Sequence, residues 1–246
     1  MLFALPLVGF SAGFVGSLLG LGGGVIVVPS LILLGFPVKL AVMVSIFVTI
    51  STWAMASEKY LRSGLVDFRV AFLLGLGTSL GAFVGSRLLT FLPDRAVMML
   101  FLGMLGFVAV SNLLGRDFTE RDFVLSPVRG AGAFLFMLFA GVMSALLGIG
   151  AGVFKVFAMD RILRMPYRMA TATSMFLIGI TSSTSALHYA TRPDFNPKVA
   201  SFVAVGTMVG AFVGPRVMLK LPVRVLRLIF TLVVILLGLS LLWRMG

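Results

Sequence analysis

Gly13-Phe14-Val15-Gly16-Ser17-Leu18-Leu19-Gly20-Leu21-Gly22-Gly23-Gly24 is the stretch on which the fold turns, because the chain writes it twice. Gly141-Val142-Met143-Ser144-Ala145-Leu146-Leu147-Gly148-Ile149-Gly150-Ala151-Gly152 repeats the glycine pattern 128 positions later. Each copy ends a long apolar run and leads into a short one. Glycine costs roughly 1 kcal/mol against alanine inside a helix, so a cluster in such surroundings has a reason. Broken helices are tolerated at membrane depth only where the freed backbone groups are buried in protein or line a cavity. Two matched breaks are the pattern of a two-fold repeated membrane protein with a site at its midplane. Close helix packing through small residues is the plainer alternative.

Composition sets the class. Of 246 residues 60% are hydrophobic and 11% charged, with a mean hydropathy of +1.15. That is an all-α polytopic membrane protein. The net charge of +12 sits in small groups of basic residues between apolar runs. Such groups read as topology signals and contacts to anionic lipid, not as a nucleic-acid surface. With no cysteine there is neither a disulfide framework nor a thiolate site, and no cofactor or metal is expected. The opening Met1-Leu2-Phe3-Ala4-Leu5 lacks a basic region, so a cleaved signal peptide is not expected.

Working outward, each half divides into four apolar segments, the first of them broken. In the first half these are Leu2–Phe36, Val38–Ser57, Val66–Thr90 and Ala96–Gly115. In the second they are Val128–Leu163, Arg168–Ala190, Val199–Leu219 and Val225–Trp243. The expected organisation is a repeat over 1–115, a polar linker over 116–127 and a second repeat over 128–246. The linker holds the densest charge cluster, Arg116 to Asp122. Gly77-Thr-Ser-Leu-Gly-Ala-Phe-Val-Gly-Ser-Arg87 matches Gly206-Thr-Met-Val-Gly-Ala-Phe-Val-Gly-Pro-Arg216 at eight of eleven positions, and Ser45 falls opposite Ser174. This is an internal duplication. A broken segment is too long for one span and short for two, which fits a helix plus a half-helix, or a re-entrant hairpin.

Basic residues choose between topologies, because cytoplasmic loops carry their excess. One crossing per broken segment divides them 9 against 10, with Lys155 set aside as intramembrane. If each broken segment goes out and back, one face collects thirteen: Lys59, Arg62, Arg69, Arg116, Arg121, Arg129, Arg161, Arg164, Arg168, Arg216, Lys220, Arg224 and Arg227. The other keeps six: Lys39, Arg87, Arg95, Arg192, Lys198 and Arg244. The second layout is expected, with inverted repeats, eight to ten helical segments, both termini outside, and a multi-pass location in the plasma or inner membrane.

The run G-x-x-G-x-x-x-G-L-G-G-G-x-x-x-V-P, closed by Pro29, resembles the TauE/SafE family of membrane transporters. Gly148-Ile-Gly-Ala-Gly-Val-Phe-Lys155, then Pro166 and Ala172-Thr173-Ser174, resembles that family's second repeat. The resemblance covers essentially the whole chain. It implies transport of small sulfur-containing anions such as sulfite, thiosulfate or organosulfonates. One departure stands out: Val156-Phe157 replaces Val28-Pro29, leaving the glycines alone to shape the second break.

The residues point to an anion independently. Lys155, opposite Val27, lies three residues past the second cluster in an apolar stretch. A cation at membrane depth costs at least ~2.5–3.5 kcal/mol on insertion scales and marks a site or a buried pair. Beside backbone N–H groups freed at a helix break it would complete an anion site; snorkelling or pairing with Asp160 is the structural alternative. The expected binding set is Gly20, Gly22, Gly23, Gly24, Ser45, Gly148, Gly150, Gly152, Lys155, Thr173 and Ser174, with no catalytic and no metal residues. Thr49 and Thr181 are weaker candidates, Arg87 and Arg216 read as interfacial anchors, and His188 as a solvated residue or a proton relay. Ser and Thr hydroxyls can donate to sulfonate oxygens or bond helix to helix.

The eight acidic residues sit almost entirely in loops or at segment ends, leaving no carboxylate chain for proton or sodium coupling. An exporter or potential-driven permease follows. The alternatives are a permease for another small anion or a divalent cation, and an intramembrane enzyme; one histidine and no cysteine weigh against the last. The expected partners are a small anionic substrate and the lipid bilayer. The stripe Gly77–Gly81–Gly85 suits packing within the chain or between copies in a homodimer.

Overall fold

The computed structural model describes residues 4–113, 123 and 126–245. Among them it contains ten α-helices and no strand. The first broken segment forms α1 (Ala4–Leu19) and α2 (Gly24–Leu33), followed by α3 (Val38–Arg62), α4 (Phe68–Leu88) and α5 (Asp94–Leu113). The second forms α6 (Pro127–Leu147), α7 (Gly152–Phe157) and a π-helical turn at Ala158–Ile162, followed by α8 (Tyr167–Tyr189), α9 (Pro197–Met218) and α10 (Val223–Met245). The charge cluster Arg116–Asp122, read as the linker, lies outside the described residues. Among the described helices, α3, α4, α6 and α9 are long and apolar enough to cross a membrane.

Local chemistry ends the helices at matched places. Asp67 caps α4 by accepting from the N–H groups of Arg69 and Val70, and Asn196 caps α9 from those of Lys198 and Val199. A short polar side chain there satisfies donors that the first turn leaves free. The opposite ends are tied by basic residues: Lys39 donates to the Thr90 carbonyl at 3.2 Å and Arg168 to that of Leu221 at 2.8 Å.

Small residues set which helices meet. On α9, a Cβ at Gly206, Gly210 or Gly214 would run into the α1 backbone at Pro6, Phe10 and Phe14 in turn. On α4, Gly77, Gly81 and Gly85 meet α6 at Phe134, Leu138 and Val142. Residue numbers rise together in both cases, so each pair runs parallel at backbone contact, a distance only small residues permit. The stripe that could have joined two copies is thus used within the chain. The opposite side of α4 leaves Phe72, Leu76, Leu80 and Phe83 exposed, as a lipid-facing surface requires.

At the centre α3 crosses α8 in the opposite sense, with Thr49 against Ser182 and Trp53 over Gly179. Each half-helix doubles back. Gly23 lies against Ala12 and Gly16 of α1, and the rings of Phe154 and Phe157 step back along α6 from Phe139 to Phe136. In each broken segment a shorter helix thus turns back against the longer helix before it. The pairs α1–α9 and α6–α4 are counterparts across the duplication, as are α3–α9 and α8–α4.

Candidate functional site

The glycine clusters of the two halves touch each other. Gly20, Gly22 and Gly23 take φ of 73°, 78° and 85°, and Gly148, Gly150 and Ala151 repeat this at 69°, 62° and 56°. Of these six, Ala151 alone adopts that left-handed backbone with a side chain, at a cost of roughly 1–2 kcal/mol. The turns reuse carbonyls left free at the helix ends: Gly16 O accepts from Leu21 and Gly22, and Ser144 O from Gly148 and Ile149. Gly24 abuts Gly148 and Ile149, while a Cβ on Gly152 would lie 2.6 Å from Leu21 Cα. Gly20, Gly24, Gly148 and Gly152 therefore serve close backbone packing.

The predicted serines bridge the halves. Ser45 on α3 donates to the Gly148 carbonyl at 2.6 Å, and Ser174 on α8 donates to the Gly20 carbonyl at 2.8 Å, with Gly152 O 3.2 Å away. Each serine thus satisfies the carbonyl that ends the broken helix of the opposite half.

Gly22 and Gly150 face a different surface, the α3–α8 seam. A Cβ on either would meet Ile178, with Thr49 beside Gly22 and the Ser182 hydroxyl 3.1 Å from the Gly150 position. The hydroxyls of Thr49 and Ser182 lie 2.8 Å apart. Lys155 enters the same place. Its side chain is 0% exposed, and its Nζ donates to the Gly150 carbonyl at 2.9 Å and to Thr181 Oγ1 at 2.8 Å. Thr181 in turn donates to Thr78 Oγ1 on α4 at 3.1 Å. Both acceptors of the ammonium are neutral. Asp160 pairs instead with Arg161, 3.2 Å away, and Lys155 takes part in none of the salt bridges among the described residues. Lys155 neither snorkels to an interface nor pairs with Asp160. In the first half Val27 occupies its place, so the polar cluster belongs to the second break alone.

A buried, backbone-lined cation at paired helix breaks is the setting in which the comparisons with known proteins stand. Residues 5–241 match the family model described as Sulfite exporter TauE/SafE. The chain belongs to the TauE/SafE family. The Probable membrane transporter protein YunE of Bacillus subtilis is 26% identical over 97% of this chain and 96% of its own length. YdhB of the same organism, also a probable membrane transporter protein, is 28% identical over 87% and 92%. A Probable membrane transporter protein of Xylella fastidiosa is 28% identical over 97% and 92%. No solved structure matches. Family and helices together make this TauE/SafE chain an integral membrane transporter.

Other predicted residues fall elsewhere in this TauE/SafE fold. Thr173 accepts from the Asp67 N–H at 3.1 Å, at the α3–α4 turn and away from the seam. Arg87 and Arg216 each lay the guanidinium over a phenylalanine one turn earlier, 3.7 Å from the rings of Phe83 and Phe212, and donate to those residues' carbonyls. His188 is half-buried at the end of α8, with its Nε2 lacking a hydrogen-bond partner.

Sequence reading missed Thr78 and Ser182, whose roles depend on which helices meet. It also missed two tyrosines. Tyr60 OH donates to Ser17 O at 2.5 Å and Tyr189 OH to Ala145 O at 2.8 Å, each tying down the last turn of its own half's broken helix. A signal was present: the chain has three tyrosines, and two stand at equivalent places in the repeats.

Proposed function

We propose that this protein is a secondary transporter of small sulfur-containing anions such as sulfite, thiosulfate or organosulfonates, moved chemically unchanged. The anion binds at Lys155 between the two breaks. The observation that carries this is the 0% exposed Lys155 ammonium with only neutral acceptors, Gly150 O and Thr181 Oγ1. Such a charge at membrane depth is costly unless an anion joins it. The hydroxyls of Thr181, Thr78, Ser182 and Thr49 supply donors that turn toward sulfonate-type oxygens without the dehydration cost of further charges.

The halves are inverted and rock about the α3–α8 seam, exposing the site to one face and then the other. Support comes from the parallel α1–α9 and α4–α6 pairs, the doubled-back half-helices and the thirteen-to-six division of basic residues. That division puts the basic face in the cytoplasm and both termini outside, in the plasma or inner membrane. Glu58, Asp160 and Asp194 are held by Arg62, Arg161 and Arg192, and Asp67 by its capping bonds, so these carboxylates do not serve ion coupling. An anion leaving a cell that is negative inside gains ~2.3 kcal/mol per charge per 100 mV, which suffices for export.

The test is thiosulfate and sulfite flux in proteoliposomes at an imposed potassium diffusion potential. Flux that follows the potential and persists without a proton or sodium gradient supports the proposal. Flux that needs either gradient at zero potential contradicts uncoupled export.

A further inference from the structure

Six buried side-chain polar atoms among the described residues lack a hydrogen-bond partner, and two of them follow Thr181 along α8. Ser185 Oγ is buried without a hydrogen-bond partner, its residue 0% exposed, and the half-buried His188 has an Nε2 without a partner. A hydroxyl or imidazole held that way away from water costs about 1–3 kcal/mol, so neither position is explained by stability. Both lie on α8 with Thr181, the acceptor of the Lys155 ammonium, at spacings i, i+4 and i+7. Those spacings place all three on one helix face. At about 1.5 Å rise per residue the stripe climbs roughly 10 Å from the lysine toward the end of the helix. At that end Arg87 stands in the last turn of α4, and Arg192 follows α8 with its charge held by Asp194, 3.4 Å away. Cations at a mouth raise the local concentration of anions. The first half has no such file: the counterparts of Ser185 and His188 are Ala56 and Lys59.

We infer that the stripe Thr181–Ser185–His188 on α8 is the route by which the anion passes between Lys155 and the face carrying the chain termini, with Ser185 and His188 as its outer station. Ser185 Oγ and His188 Nε2 replace water on the oxygens of an anion that has left the central lysine. The inference rests on the proposed anion site, which supplies the inner end of the path.

The absence of cysteine makes the test direct. Ser185→Cys is nearly isosteric and is expected to fold like the parent, as judged by monodispersity after purification. Leu187→Cys, on the exposed side of the same helix, is the reference. The reagent is the anionic, impermeant 2-sulfonatoethyl methanethiosulfonate, applied to membranes from the terminal side or from the opposite side. Disulfide formation links the reagent's ethylsulfonate-thiol half to the cysteine sulfur and releases methanesulfinate. The expected result is at least tenfold faster labelling of Ser185→Cys than of Leu187→Cys from the terminal side only. Labelling of Ser185→Cys at the reference rate, or faster from the opposite side, overturns the route. Loss of flux in Lys155→Met alongside an unlabelled Ser185→Cys would remove this inference and leave the central site standing. The reverse pattern would remove Lys155 as the inner end of the path and leave only an aqueous approach to Ser185.

Discussion

Ser45 donates its hydroxyl to the carbonyl of Gly148, 103 residues away in the other half, at 2.6 Å. Its counterpart Ser174 returns the bond to Gly20. The breaks are therefore not two independent kinks, since each is finished by a side chain from the opposite repeat. Any rocking of one half against the other must strain or exchange these two bonds, which couples the closure of one break to that of the other.

Ser45→Ala and Ser174→Ala are each expected to destabilise the protein by about 1–2 kcal/mol, because each leaves a buried carbonyl without its donor. Thermal unfolding in detergent reads this as a lower midpoint for both variants. Equal midpoints for wild type and Ser45→Ala would show that the bond does not hold the break.

Tyr60→Phe and Tyr189→Phe remove one oxygen each from fully packed rings. A loss of about 1 kcal/mol or more is expected for each, from the unsatisfied Ser17 and Ala145 carbonyls. The two losses should add, since the tyrosines share no partner. The same unfolding assay on the singles and the double checks this, and a strongly sub-additive double would place them in one network.

Glycine to alanine gives a graded series. At Gly206 and Gly81 the new methyl would collide with the carbonyls of Pro6 and Leu138, so neither variant should yield a monodisperse protein. At Gly103 and Gly132 nothing stands within 4 Å, and alanine should be neutral or stabilising by up to about 1 kcal/mol. Yield and gel-filtration profile separate the two outcomes.

Lys155→Met should unfold at a temperature no lower than wild type, because it removes a buried ammonium whose only acceptors are neutral. A midpoint well below wild type would mark Lys155 as structural.

Much of this architecture was legible in sequence for a physical reason. Lipid forces unbroken apolar runs, so Gly20–Gly24 and Gly148–Gly152 stand out as interruptions, and Lys155 as a cation far from the ends of its run. The hairpin shape was not legible: glycine at positive φ permits a reversal, but its direction depends on whether Gly23 packs on Ala12, a tertiary fact. Nor was the crossing of the serine bonds, because Ser45 and Ser174 each lie nearer in sequence to their own half's break than to the one they bond. The Lys155–Thr181–Thr78 chain joins three helices whose adjacency is set by glycines elsewhere, on α4 and α6. Thr173 sits next to Ser174 in sequence, yet the 100° turn between neighbours on a helix sends it to Asp67 instead.

The central claim is that Lys155 holds the anion. Its most direct test is calorimetric binding of sulfite, thiosulfate, sulfoacetate and sulfate to purified wild type and to Lys155→Met. Wild type is expected to bind at least one sulfur anion, and the variant to lose it by tenfold or more while staying folded. Equal affinity in the two proteins would contradict the assignment and leave Lys155 as a buried structural residue.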